Sequence, residues 1–521
     1  MSQSMFKFLN RLLILLAALL ATGFGRAVAG DRPSIVVAVQ DLPSVLEQAS
    51  NSSTKASAFR VLYNLYDWPF RTNFLKDYKL EPGLATSLKR VDDTTYEMEL
   101  RRGVKFHDGT EMTADDVVFS FGPGRLLKKG APGYRVKRQF LGPLAAVEKI
   151  GDYKVRLKTA APDPVFEKRM GNVGAEIVSR AAYEAAGNFD AWALAPVGTG
   201  PFQIVEFKPN EYLQLEAHDA YWGGKPTIKS LRFQLVPELS ARIAGLLAGD
   251  FDIITNVTPD QIEAIERHKE FRVVGRTVSV HQMVAFDVNN NPQLKDVKLR
   301  RALSLAVDRK LIVDTLWHGR IDIPNGHQWP AYGALYDPDR PVAEYNPAKA
   351  KELLAASSYN GEVIPYRSVG NYYTAELPTA QALVEMWREV GIRVKLELVE
   401  NWSQVRERPG TGINNGSDSM LFPDPLSSLW RRWGAISKFQ KRDYWSNEEF
   451  NRLGKILETS LDQEARRRAF QRMLDIFDYE DPPGIILHGR GNFYGIRDGV
   501  DWKPYPAAQM DFRAENISVG K

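Results

Sequence analysis

The chain has 521 residues, 25% charged and 44% hydrophobic, a globular profile too long for one core; two or three domains are expected. It has no cysteine, which excludes disulfides, thiolate catalysis, Fe–S clusters and zinc fingers. Of its formal charge of +4, three units come from Lys7, Arg11 and Arg26 in an acid-free N-terminal segment; the rest is near neutral, and no basic cluster with interleaved aromatics points to nucleic acid.

Residues 1–29 read as a secretory signal peptide. Lys7 and Arg11 precede "LLILLAALLA" (12–21), an apolar run shorter than a membrane span needs, and "AVA" (27–29) offers small residues to a signal peptidase. Cleavage is expected after Ala29, with an uncleaved anchor as the alternative. No later apolar run is long enough to span a bilayer, so the mature protein is expected to be soluble and exported.

"SIVVAVQ" (34–40) reads as a buried strand opening the mature fold. "SAFRVLYNLYDWPF" (57–70) has helical spacing, and "TYEMELR" (95–101) alternates as a half-buried strand. "KFHDGTEMTADDVVFSF" (105–121) gathers one histidine and four acids, yet each acid has a structural task. Asp-Gly (108–109) marks a turn, Thr113 with Asp116 makes a variant capping box, and Asp115 and Asp116 complement the helix dipole. A metal site would need more ligands at converging spacing.

"YKVRLKT" (153–159) is another alternating strand, and "GTGPF" (198–202) is a turn entering "QIVEF". "SLRFQLV" (230–236), helix 238–250 and "FDIIT" form a β–α–β unit, which predicts parallel pairing. Residues 299–317 read as one or two amphipathic helices, and 346–357 as a helix with proline in its first turn. A long helix is expected from 375, stopped at Gly391 and followed by a strand. A basic-faced helix from 464 should break at Pro482-Pro483 before another strand. Alternating strands and helices make the class α/β.

Six blocks carry a resemblance. They are "LEPGLATSL" (80–88), "TTYEMELRRGVKFHDGTEMTADDVVFSF" (94–121), "PVGTGPFQIVEFKPNEYLQLEAHDAYWGGKP" (196–226), "LLAGDFDII" (246–254), "LRRALSLAVDRKLIV" (299–313) and "YNPAKAKELL" (345–354). In this order and spacing the chain resembles the extracytoplasmic solute-binding proteins of ABC importers, family 5, whose members include periplasmic dipeptide- and oligopeptide-binding proteins. The resemblance implies a two-lobed periplasmic binding protein fold of the large cluster C type, with a hinge and an interlobe ligand cleft. Lobe one would hold 30–280 plus 487–521, with an inserted subdomain at about 71–200, and lobe two 281–486. The crossings would lie at "SVHQMVAF" (279–286) and "IILHGRGNF" (485–493). A periplasmic monomer is implied, with a small-molecule or peptide ligand, ABC permease membrane subunits as partners, and no cofactor or metal.

Peptide binders of the family anchor the ligand amine with an aspartate; here that position aligns with Leu421. The arginine that dipeptide binders place on the carboxylate falls on Gly370, with Arg367 three residues away. Burying an ammonium without a partner costs several kcal/mol, so a classical dipeptide binder is the secondary reading. The remaining cleft candidates are Asn371, Tyr372, Tyr373, Trp402, Ser417, Asp418, Ser419, Trp430 and Arg431, with Arg367. Rings, amides, hydroxyls and an arginine fork suit opines, sugar conjugates or modified peptides. "NSST" (51–54), Tyr66 and Trp68 would form the opposite lip, with core packing as the alternative for the two rings. Asp424, between prolines, reads as a turn residue.

A secreted hydrolase and a metal-chelate scavenger are the rivals. The seven histidines are scattered, and HExxH, GxSxG and P-loop motifs are absent. No enzymatic activity is expected.

Overall fold

The structure is a computed structural model that describes residues 32–50, 56–370, 372–407 and 412–520. The expected signal peptide, "NSST" and Asn371 lie outside the described residues.

Ten strands form one mixed sheet. In spatial order they are Val394–Leu398, Ile364–Ser368, Ile413–Ser419, Phe271–Phe286, Gly484–Arg497, Ile253–Ile254, Ser34–Val39, Ser230–Leu235, Tyr212–Ala217 and Phe202–Lys208. The central pair, with 16 and 14 residues, is far longer than the usual strand of about five or six. Five strands that precede residue 255 lie to one side of it, and three from 364–419 to the other. The two long strands run antiparallel, and their register slips between Val278 and His281. Such a bulge bends a strand and re-aims its side chains. From Val280 onward, the first long strand also pairs with Ile413–Ser419.

The expected β–α–β unit is present. Ser230–Leu235 and Ile253–Ile254 both run parallel to Ser34–Val39, which lies between them, and helix Leu239–Ala248 connects them. Residues 297–317 form two helices, Val297–Leu305 and Arg309–Trp317. Helix Glu376–Glu389 ends before Gly391, whose φ of 97° suits glycine. Helix Gln463–Asp475 runs on as a π-turn to Glu480, where Pro482 and Pro483 stop it.

A second, antiparallel sheet orders Ala85–Arg90, Thr95–Leu100, Lys154–Thr159 and Leu144–Gly151. Tyr96, Met98 and Leu100 fill its buried side, as their alternation predicts. The acidic stretch after it is structural. Thr113 caps helix Ala114–Ser120, and Asp116 returns to the Thr113 amide at 2.9 Å. Asp108 takes the Thr110 amide, and Asp115 pairs with Lys149. His107 lies on the "GTG" turn: its Nδ1 accepts the Gly198 amide and its Nε2 faces the Gly200 carbonyl at 3.1 Å. Burial pulls the pKa of this ring down to about 3, so it is neutral at any physiological pH. A Cβ at Gly198 or Gly200 would come within 2.2 Å or 2.4 Å of the Leu65 backbone, which explains both glycines.

Candidate functional site

The register slip marks a cavity of about 170 Å³. The long strands contribute Val278, Ser279, Val280, Arg490 and Asn492. Phe59, Phe74, Asn172 and 507–509 line one side; Tyr372, Tyr373, Ser417, Ser419, Met420 and Leu421 line the other. A recess of about 20 Å³ shares Phe59, Phe74, Asn172, Leu421 and Gln509 and adds Gln48, Tyr63 and Trp68. A larger hollow of about 470 Å³ lies elsewhere, beside helix Ile262–Glu266 and His318. Its lining mixes acids and bases and includes none of the sequence-predicted site residues.

Backbone geometry sorts the predicted residues. Strand Ile413–Ser419 alternates faces, so Ser417 and Ser419 line the cavity while Asp418 does not. Asp418 is fully buried, taking a hydrogen bond from His327 Nε2 at 2.9 Å and one from Arg431 at 2.8 Å. Arg431 is thus tied to Asp418 and to the Ser427 carbonyl. Burial opposes ionisation of Asp418, but the His327 bond and the Arg431 and Arg432 charges outweigh it and hold the carboxyl below its usual range.

Tyr372 and Tyr373 line the cavity because Glu376 fixes their corner. One Glu376 oxygen accepts both tyrosine amides, at 2.8 and 3.0 Å, and the other accepts from Ser368 and Asn415. Ser417 donates to the Tyr373 hydroxyl at 3.3 Å. Trp402 packs edge-on to both tyrosines, with centroids at 5.4 and 6.0 Å, and supports them from outside the lining.

Trp430 and Arg367 are not part of this cavity. Trp430 is buried near Phe450, and a Cβ on Gly434 or Gly454 would overlap its ring. Arg367 pairs with Glu397 and donates to the Glu407 carbonyl. Gly370, at φ 87°, faces Leu398. Asp424 is buried, caps its own turn and holds Arg466. Tyr66 is a core residue bonded to the Leu46 carbonyl, whereas Trp68 stacks on Tyr63 beside the recess.

Sequence reasoning missed Arg490, Asn492, Ser279, Asn172 and Phe74. A signal for Arg490 existed: it stands between two glycines in the second long strand. A Cβ at Gly489 would strike Thr277 and one at Gly491 would strike Ile321 and Phe493, so only the position between them has room for a long side chain. The Arg490 guanidinium lies 5.3 Å from the Tyr373 ring centroid. Burial lowers its pKa, Tyr373 works the other way, and nearby Arg60 adds to the lowering.

Among the described residues no cluster of three His, Cys, Asp or Glu side chains could hold a metal, and no helix is long and apolar enough to cross a membrane. The family model for bacterial extracellular solute-binding proteins, family 5 Middle, matches residues 79–438. The chain is 28% identical to the oligopeptide-binding protein AppA of Bacillus subtilis (strain 168), covering 85% of this chain and 83% of that one. It is 27% identical to the dipeptide-binding protein of Escherichia coli (strain K12), covering 84% and 86%. The fold also matches the PBP AgaA from A. tumefaciens R10, solved in complex with agropinic acid, with a TM-score of 0.78, 22% identity and coverage of 94% and 99%. Two of these relatives are named as peptide-binding proteins, and the third was solved with agropinic acid bound. With the matched region spanning most of the sequence, the chain belongs to the extracellular solute-binding proteins of ABC importers, family 5.

Proposed function

We propose that the chain captures a peptide-like, opine or sugar-conjugate ligand in the cavity at the long strands and delivers it to an ABC permease. It works as a periplasmic monomer, after loss of residues 1–29. Residues 30–280 with 487–521 act as one lobe, carrying an insertion at about 71–200, and residues 281–486 act as the other. The observation that carries this reading is the lining of the cavity by residues from both sides of the sheet and from both strands that cross between them. Ligands are commonly enclosed at such junctions, and hinge closure is the expected motion. At about 170 Å³ the cavity is below the usual range of roughly 300–1,000 Å³ for ligand sites, which favours a compact ligand over a long peptide.

The test is a thermal-shift and scattering experiment on the mature chain. A true ligand should stabilise the fold by about 2.7 kcal/mol at one hundred times Kd, reduce the radius of gyration and be recovered unchanged. Chemical conversion of the ligand would sink the reading.

A further inference from the structure

The charges around the cavity say more than its shape. Of the residues that line it, Arg490 alone carries a charge. Among the described residues its guanidinium meets a tyrosine ring and has neither a carboxylate partner nor a side-chain hydrogen bond. Nearby Arg60 is already engaged by Asn256 and Asp41. Asp41 is half exposed and does not line the cavity. Of the residues outside the described set, Asp31 is the one Asp or Glu; 51–55, 371 and 408–411 include none. Leu421 occupies the lining where an amine-anchoring acid would be useful.

Arg490 is half-buried, and its guanidinium faces a ring and neutral groups in the cavity with no anion beside it. A ligand carboxylate would complete it through a two-pronged, charge-assisted contact. An ammonium in the same space would find no acid among the described lining residues and would be repelled by Arg490. The neutral end of the ligand has other partners. In the adjoining recess the Nε1 of Trp68 and the Oε1 of Gln48 are buried without hydrogen bonds, one a donor and the other an acceptor. Volume limits the ligand as well: a cavity of about 150 Å³ holds a benzene ring.

We infer that the solute is a compact carboxylic acid without a free amine, its carboxylate on Arg490 between Tyr373 and Asn492 and its uncharged polar part toward Trp68 and Gln48. The inference rests on the capture reading and names its substrate class. Sugar acids, lactam acids and N-acylated amino acids share this chemistry. A zwitterionic dipeptide does not.

Calorimetry on the mature chain and on Arg490→Gln and Arg490→Lys tests it. The probes are gluconate, pyroglutamate, N-acetyl-leucine, the carboxamides of the last two, and Met-Leu. At least one acid should bind the wild type, with its neutral or zwitterionic counterpart weaker by on the order of 100-fold. Arg490→Gln should lose affinity by a similar factor and Arg490→Lys by less, with both melting cooperatively. Equal affinity for a carboxamide or for Met-Leu overturns the assignment and leaves capture standing, as does full acid affinity in Arg490→Gln. Binding of none of the probes overturns the assignment; a screen of the native host's small-molecule extract that also gives no stabilisation overturns capture with it.

Discussion

Asp418 illustrates how one position can be a site candidate in sequence and a structural support in space. The run "GSDS" offers three polar side chains in a row, but a strand shows only every second one to a cavity. Ser417 and Ser419 meet the cavity, and Asp418 turns to His327 and Arg431. Removing one partner from a buried ion pair costs about 3–5 kcal/mol, so Asp418→Ala should lower the urea midpoint by that equivalent. The pH dependence follows from its lowered pKa. A carboxyl with a folded pKa below the unfolded value of about 3.9 gives stability that is complete above that value and is lost as pH falls through the folded one. Wild-type stability should therefore fall more steeply below about pH 4 than that of Asp418→Asn; parallel curves would assign the charge no role. Tyr372, Tyr373, Ser417 and Ser419 were legible because aromatic and hydroxyl groups cluster in sequence near the expected cleft. Arg490 was only partly legible: the glycines on either side mark the position, but its importance depends on which groups lie opposite. Trp430 misled for the converse reason: a large ring looks the same in sequence whether it faces ligand or core.

Elements were more legible than their assembly. The Thr113–Asp116 cap, the Gly391 stop and the Pro482-Pro483 break are local signals, and each ends or starts a helix where chemistry requires it. The order of ten strands is not local. Pairing Phe271–Phe286 with Gly484–Arg497 joins segments about two hundred residues apart, and no turn motif records it. Helix Glu448–Thr459 shows the same limit on a smaller scale. Gly454 lies inside it, where alanine would ordinarily gain about 1 kcal/mol in propensity. Here a Cβ would sit 1.9 Å from the Trp430 ring. Overpacking of that kind costs about 1–3 kcal/mol, so packing should match or outweigh propensity. Gly454→Ala should fail to stabilise the chain and should lower its melting temperature, whereas Gly454→Ala combined with Trp430→Leu should show a smaller loss than the two single changes added. Additive losses would mean that helix and ring are independent.

The two sides of the sheet touch across the cavity as well as through the long strands. Lys168 donates to the Pro423 carbonyl at 2.7 Å, Asn172 donates to the Leu421 carbonyl, and the Arg169 guanidinium lies 5.3 Å from the Phe422 ring centroid. These contacts involve the 165–173 segment and the 420–424 turn, and neither depends on a ligand. Burial lowers the Lys168 pKa, so the contact is made by a partly dehydrated ammonium with a strong need for its carbonyl. A hydrogen bond nets about 1 kcal/mol, more when one partner is charged. Two of them are enough to bias an open–closed equilibrium that spans only a few kcal/mol. Asn172 also lines the cavity, so its substitution would mix two effects; Lys168 does not, and is the cleaner probe. Lys168→Ala should shift the ligand-free population toward the open form, raise the scattering radius of gyration, and weaken apparent affinity by roughly three- to tenfold, because only the competent fraction binds. The intrinsic contacts with the ligand would be untouched, so the saturated complex should keep its wild-type radius. A variant whose free and bound radii both match the wild type would show that the long strands alone set the closed geometry, and that the contact across the cavity follows closure instead of favouring it.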